Sequence, residues 1–306
     1  MRSRWILIVV LVLAVAVAGG GYGWWDHGQM PQLGKAAYDQ TLAILSKGPR
    51  PPGSAGLQAV KLQVKTELEK AGWVTRGQAF ERNTPAGNVA FENLRARFAA
   101  GSGDPWAQPV QGILCAHIDS KTFKDKYFLG ADDAASACAA IVEIARFLAK
   151  SKPGQARSLE LVFFDGEESL GPDITHMDGL YGSRYYANQW RALADKPKFG
   201  ILLDMIGHDN LSIRLSTDTP PDLKARVMSA AKAENADRHF GMAMGEITDD
   251  HTPLNSAGIP TVDIIGDFGR GGWWHTPADN AKIISAKSLD ISIRVTLRML
   301  DGWLVK

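Results

Sequence analysis

The sequence predicts an α/β protein: a single doubly wound, mostly parallel mixed sheet with helices on both faces. Three observations predict it. Apolar strand-length runs at 110–116, 158–164, 199–206 and 260–265 alternate with helix-length segments at 134–149, 180–194, 221–234 and 286–301. That alternation lays parallel strands side by side and sends the helices over the sheet. Several runs also end in charge, as in Leu161-Val-Phe-Phe-Asp-Gly-Glu-Glu168 and Gly200-Ile-Leu-Leu-Asp204. In open sheets of this type ligands bind beyond the carboxyl ends of the strands. Finally, 306 residues with 45% hydrophobic content suffice for one large core, and no repeat, low-complexity tract or interior boundary divides the chain.

The elements follow in order. Arg2 and Arg4 precede an uncharged stretch from Trp5 to Trp25, so residues 1–28 read as a signal peptide or membrane anchor. Ala14-Val-Ala16 and Ala16-Val-Ala18 resemble cleavage sites, whereas Trp24-Trp25 suits an interface. Either reading puts the catalytic part, residues 29–306, outside the cytoplasm: periplasmic, secreted, or tethered through residues 5–25. After a short linker, helices are expected at 35–46 and 55–71. The breaker Gly48-Pro-Arg-Pro-Pro-Gly53 separates them, and Leu57, Val60, Val64 and Leu68 share a face of the second. Strands at 73–80 and 88–98 then lead into the alternating region. The 34 basic and 33 acidic residues nearly balance and form no basic run, which argues against a nucleic-acid partner. A monomer is expected.

Chemistry concentrates where the runs end. Adjacent Glu167 and Glu168 at a buried strand end repel each other unless a cation or a proton relieves them. Ile113-Leu-Cys-Ala-His-Ile-Asp119 closes on His117 and Asp119, and Phe128-Leu-Gly-Ala-Asp-Asp133 puts two acids before a helix. Asp204 ends a third run, Thr248-Asp-Asp-His251 clusters again, and Trp273-Trp-His275 completes the set. Taken singly, each is an ordinary solvated strand end or structural histidine. Repeated across one chain, they make the ligand inventory of a hydrolytic zinc site. Export would also permit a disulfide between Cys115, on a strand, and Cys138, on the next helix.

After residue 35 the chain resembles the zinc-dependent glutaminyl-peptide cyclotransferases of animals, relatives of the bacterial zinc aminopeptidases. The resemblance rests on Arg50-Pro-Pro-Gly-Ser54, Ala116-His-Ile-Asp-Ser-Lys121, Gly130-Ala-Asp-Asp133, Phe163-Phe-Asp-Gly-Glu-Glu168, Asp178-Gly-Leu-Tyr-Gly-Ser-Arg184, Leu202-Leu-Asp-Met-Ile-Gly207, Asp249-Asp-His251 and Trp274-His-Thr276. It implies the zinc aminopeptidase fold, with Asp133, Glu168 and His275 holding one zinc. It further implies Glu167 as general acid/base, Asp204 and Asp249 as carboxylates hydrogen-bonded near it, and Trp274 and His251 at the substrate. In two-zinc aminopeptidases the positions of His117 and Asp204 hold a second ion and that of Asp133 bridges. Ser169-Leu-Gly-Pro-Asp-Ile174 lacks the tryptophan the cyclases carry there. Cys115 also lies one residue before the family's bridging cysteine, a slip that turns its side chain to the other face.

The resemblance implies cyclisation of N-terminal glutamine to pyroglutamate with release of ammonia, on peptide or protein N-termini, with one zinc. The alternative is a two-zinc aminopeptidase hydrolysing the first peptide bond. A receptor-like module without metal is the third reading, disfavoured because every ligand position is filled.

Overall fold

The structure is a computed structural model and describes residues 33–304 apart from 100 and 102. The expected signal or anchor at 1–28 lies outside the described residues. Among the described residues no helix is long and apolar enough to cross a membrane.

Two helices open the fold, α1 (Leu33–Leu45) and α2 (Ala55–Lys70), and Ser54 caps the second by accepting the Leu57 N–H at 3.1 Å. Strands β1 (Trp73–Thr84) and β2 (Gly87–Phe98) form a long hairpin, with Phe80 opposite Phe91. Then come β3 (Gly112–His117), α3 (Ala137–Ser151), α4 (Pro153–Arg157), β4 (Leu159–Phe164), α5 (Tyr181–Asn188) and β5 (Phe199–Asp204). The remainder is β6 (Ile213–Leu215), α6 (Pro221–Ala233), β7 (Phe240–Met242), α7 (His251–Ser256), β8 (Thr261–Ile265) and α8 (Ala286–Asp301).

Six strands make the central sheet in the order β1-β2-β4-β3-β5-β8. β3, β4, β5 and β8 run parallel, while β2 joins β4 antiparallel, so the mixed, mostly parallel sheet expected from the sequence is present. Every residue of these four parallel strands is buried, which is why they read as largely apolar runs, with Glu160 in β4 and Asp263 in β8 as buried charged interruptions. Ile113, Cys115, Val162, Phe164 and Leu202 pack on one face with Tyr186 and Ala187 of α5 and Leu254 of α7. Their alternates Leu114, Ala116, Leu161 and Phe163 face the opposite layer, where α3 lies against β3 and α1 packs on α3 and α8.

The sequence expectation departs from the structure in three places. Helix 180–194 stops at Asn188, because Trp190 and Arg191 bond three residues back, to Ala187 and Asn188, instead of four. The small parallel pair β6–β7 and the six-residue α7 were not anticipated; both are too short to show a period. The disulfide is absent. Cys115 and Cys138 are both free and buried, with the Cys138 thiol donating to the His117 carbonyl at 3.0 Å.

The chain reverses its winding direction around β3: β4 lies on one side of it and β5 on the other. A crevice opens at the carboxyl ends of strands flanking such a point. His117, the Glu167–Glu168 pair and Asp204 all sit at those ends.

Candidate metal and catalytic site

β3 delivers His117, which is 1% exposed. Two residues on, Asp119 turns back and accepts the backbone N–H of Glu167 at 3.2 Å with one oxygen and that of Glu168 at 3.3 Å with the other. One carboxylate thus fixes the backbone that presents both glutamates. The turn before them passes through Gly166 at φ 75°, where an added Cβ would stand 2.5 Å from the Phe91 ring. Only glycine fits that approach.

Asp133 comes from the turn ahead of α3. Asp279 holds this turn by accepting the Asp132 N–H at 2.7 Å and the Asp133 N–H at 3.3 Å. The buried Arg50 guanidinium secures the preceding loop, donating to the carbonyls of Ile118, Leu129 and Gly130. β5 ends on Asp204, and the loop after β8 brings round Trp274 and His275.

These pieces converge. Ligand-type atoms of Asp133, Glu168 and His275 lie within 4.8 Å of one another, as do those of His117, Asp133 and Asp204. His275 Nε2 is 3.5 Å from Asp133 Oδ2 and 3.5 Å from Glu168 Oε2. Two atoms each bound to one tetrahedral zinc stand roughly 3.3–3.5 Å apart, so His275 stands at about zinc spacing from both carboxylates. Glu168 Oε1 and Asp204 Oδ1 are buried without a hydrogen-bond partner, a costly state that a cation would relieve. The oxygen and imidazole donors suit zinc.

The electrostatics agree with a site built for a cation. Burial alone would lower the His275 pKa, but hydrogen bonds to Asp133 and Glu168 outweigh it and bring it up to about 9. Burial works against ionisation of Asp133 as well, yet His117 and His275 hold its carboxyl well below the usual range. Burial, with help from Asp249 and Asp133, pushes Asp204 up to about 8 against the pull of His117. Glu167 is raised well above the ordinary carboxylate range by burial first, then by Glu168, Asp249 and Asp250, with His117 pulling the other way. Lys121 is buried beside the pair, donating to the Ser169 carbonyl at 2.9 Å with its nitrogen 3.6 Å from Glu168 Oε2.

A cavity of about 260 Å³ opens over this floor. Asp133, Glu167, Glu168, Asp204, Asp249, Trp274 and His275 all line it, so seven of the nine residues singled out in the sequence meet on one wall system. Trp274 stacks on His275 with ring centroids 3.8 Å apart. Ile174 and Pro172 supply the apolar surface on the side where the sequence lacks a tryptophan.

His117 sits just beneath the wall, its Nε2 3.0 Å from Asp133 and 3.4 Å from Asp204. His251 does not reach the cavity. It is fully buried at the start of α7, with Nδ1 3.5 Å from Asp263 and Nε2 3.7 Å from Asp218, so direct substrate contact is not its place. The expected hydrogen-bonded trio of Glu167, Asp204 and Asp249 is also looser than foreseen. Asp204 pairs with His117, while Asp249 accepts the Asp250 N–H at 2.5 Å and keeps its other oxygen unpartnered. Asp119 stood in the sequence as part of a strand-end cluster, but its role as an acceptor of two amides was missed. Asp279 was missed outright, and its only signal was its place four residues after His275.

The model of peptidase family M28 matches residues 99–300. The chain belongs to peptidase family M28. Among relatives of this M28 chain, the glutaminyl-peptide cyclotransferase of Gloydius blomhoffii is 30% identical over 79% of the chain and 74% of its own length. Among solved structures, Porphyromonas gingivalis glutaminyl cyclase superposes with a TM-score of 0.77 at 30% identity, covering 88% of the M28 chain and 98% of its own. A Zn-dependent exopeptidase from Parabacteroides distasonis superposes with a TM-score of 0.76 at 26% identity, over 89% and 98% respectively.

Proposed function

We propose that this M28 chain is a glutaminyl-peptide cyclotransferase, closing the N-terminal glutamine of peptides to pyroglutamate with release of ammonia. The observation that carries the reading is the pairing of an Asp133/Glu168/His275 set at zinc spacing with Glu167, a buried carboxyl beside the set but outside it. It is supported by relatives that bear the cyclotransferase name.

Asp133, Glu168 and His275 would hold one zinc, which when bound supplies Lewis-acid polarisation of a carbonyl. The substrate's α-amine attacks the γ-carboxamide carbon, a C–N bond forms, and the bond to the departing nitrogen breaks. Glu167 takes a proton from the attacking amine and returns it to the leaving group, which departs as ammonia. Burial and the neighbouring acids hold this carboxyl well above its usual range, and general acid/base work needs a group that both takes and gives a proton. Trp274 forms an apolar side of the pocket, and Asp249 bears on Glu167 by charge.

One observation favours a second reading. His117 and Asp204 converge on Asp133 from the far side, which is the ligand set a second ion would use in an aminopeptidase. Incubation of the purified protein with a Gln-initiated and a Leu-initiated peptide separates the two. Loss of ammonia from the first supports the cyclase, and free leucine from the second overturns it.

Residues 1–28 we read as a signal peptide or anchor and 29–306 as an extracytoplasmic catalytic domain, on the strength of Arg2, Arg4 and the uncharged stretch after them. A monomer remains our expectation.

A further inference from the structure

The catalytic cavity is small. Its volume of about 260 Å³ lies just under the roughly 300–1,000 Å³ of ligand pockets, room for one residue but not for a peptide. An N-terminal glutamine has no residue before it, so the chain leaves in one direction only. A groove of about 610 Å³ adjoins the cavity; Glu246 lines both, and Ile247 and Phe268 are the apolar walls they share. Those two side chains pack on the buried Met205, Ile265 and Trp273, so the shared wall is anchored and the passage preformed.

Along the groove stand Met242 and Met244, two of the large apolar side chains that the described surface exposes; Met244 is entirely in solvent. Scattered apolar residues need no explanation, but a pair lining a groove continuous with a catalytic cavity does. Methionine adapts its shape to varied apolar partners. The arginines of the groove are engaged, since Asp267 takes both Arg214 at 3.2 Å and Arg270 at 3.3 Å.

We infer that the groove bounded by Met242, Met244, Ile247 and Phe268 binds the two or three residues that follow the N-terminal glutamine and prefers an apolar side chain among them. This inference rests on the proposed function for the identity of the first residue, and on the structure for the rest.

The test uses the zinc-loaded full chain and amidated peptides Gln-Gly-Gly-Gly, Gln-Phe-Gly-Gly, Gln-Gly-Phe-Gly and Gln-Gly-Gly-Phe, with Glu replacing Phe in a parallel set. At least one Phe peptide should exceed the all-glycine peptide in kcat/KM by about tenfold, through KM, as expected for partial burial of one aromatic side chain. In the doubly substituted Met242→Ser, Met244→Ser protein that advantage should fall below about threefold, while turnover of glutamine amide stays unchanged. Both methionines are exposed, so the substitutions leave the core intact. Equal rates for all peptides, an advantage for Glu over Phe, or an advantage that survives the double substitution would each overturn the inference. If no glutamine peptide loses ammonia, the function reading fails by itself. The same positional series initiated with leucine then reads the groove by amino-acid release, with the same outcomes deciding.

Discussion

His117 Nε2 lies 3.0 Å from Asp133 Oδ1, closer than two ligands of one tetrahedral zinc stand, while His275 and Asp133 keep 3.5 Å. Asp133 thus keeps an ion's spacing from His275 and makes a direct contact with His117, and on the proposed cyclase reading only the His275 side takes a zinc. Protein prepared without excess zinc should carry close to one zinc per chain by metal analysis. Asp204→Ala should keep that ion, and His275→Ala should lose it. Two tightly held zincs, lost together with activity on Asp204→Ala, would overturn the single-ion site and promote the aminopeptidase.

Adjacent residues of the glutamate pair should separate cleanly. Glu167→Gln removes proton transfer but no ligand, so it should retain zinc while losing about 10²–10⁴-fold in turnover. Glu168→Gln replaces the proposed carboxylate ligand with a neutral amide and should weaken zinc binding as well as activity. Zinc titration alongside rate measurement checks both. A Glu167→Gln protein that binds zinc poorly would mean the two roles are exchanged.

Strand ends were the legible part of this site. Glu167, Glu168, Asp204 and His117 each end or follow a buried strand, and a chain that buries such a run must deliver the next polar residue to the sheet edge; Asp133 instead comes from the turn ahead of α3. The parallel strands were legible for the same reason, being mostly apolar along their length. The backbone supports were not. Asp119, Asp279 and Arg50 act on amides and carbonyls of distant segments, and nothing in local sequence pattern records which backbone a side chain will meet. His251 illustrates the opposite error. The family resemblance put it at the substrate, yet the first turn of α7 points it inward, onto Asp263.

Asp119 gives that lesson an energetic test. Asp119→Ala leaves two buried amides without acceptors, each at a cost of about 1–3 kcal/mol, so denaturant unfolding should show a loss of roughly 2–6 kcal/mol. Because the same amides set the direction of both glutamates, zinc affinity should fall with stability. A variant as stable as the parent would show that water or rearrangement replaces this carboxylate.

Zinc binding should strengthen as pH rises, and the sign follows from His275. In the metal-free protein its pKa is raised to about 9, so below that pH it is an imidazolium paired with Asp133 and Glu168. A raised pKa means that this pairing stabilises the metal-free fold fully below the unfolded value near 6.5 and is lost as pH climbs through about 9. Zinc takes neutral imidazole, so loading must expel the proton, and apparent affinity should gain up to about tenfold per pH unit across that window. Competition titrations at several pH values, with melting curves of zinc-loaded and chelator-treated protein, measure both halves. The gap in Tm between the two forms should widen from about pH 6.5 to 9. A gap that stays constant, or narrows, would mean that His275 gives up no proton to zinc and is not one of its ligands.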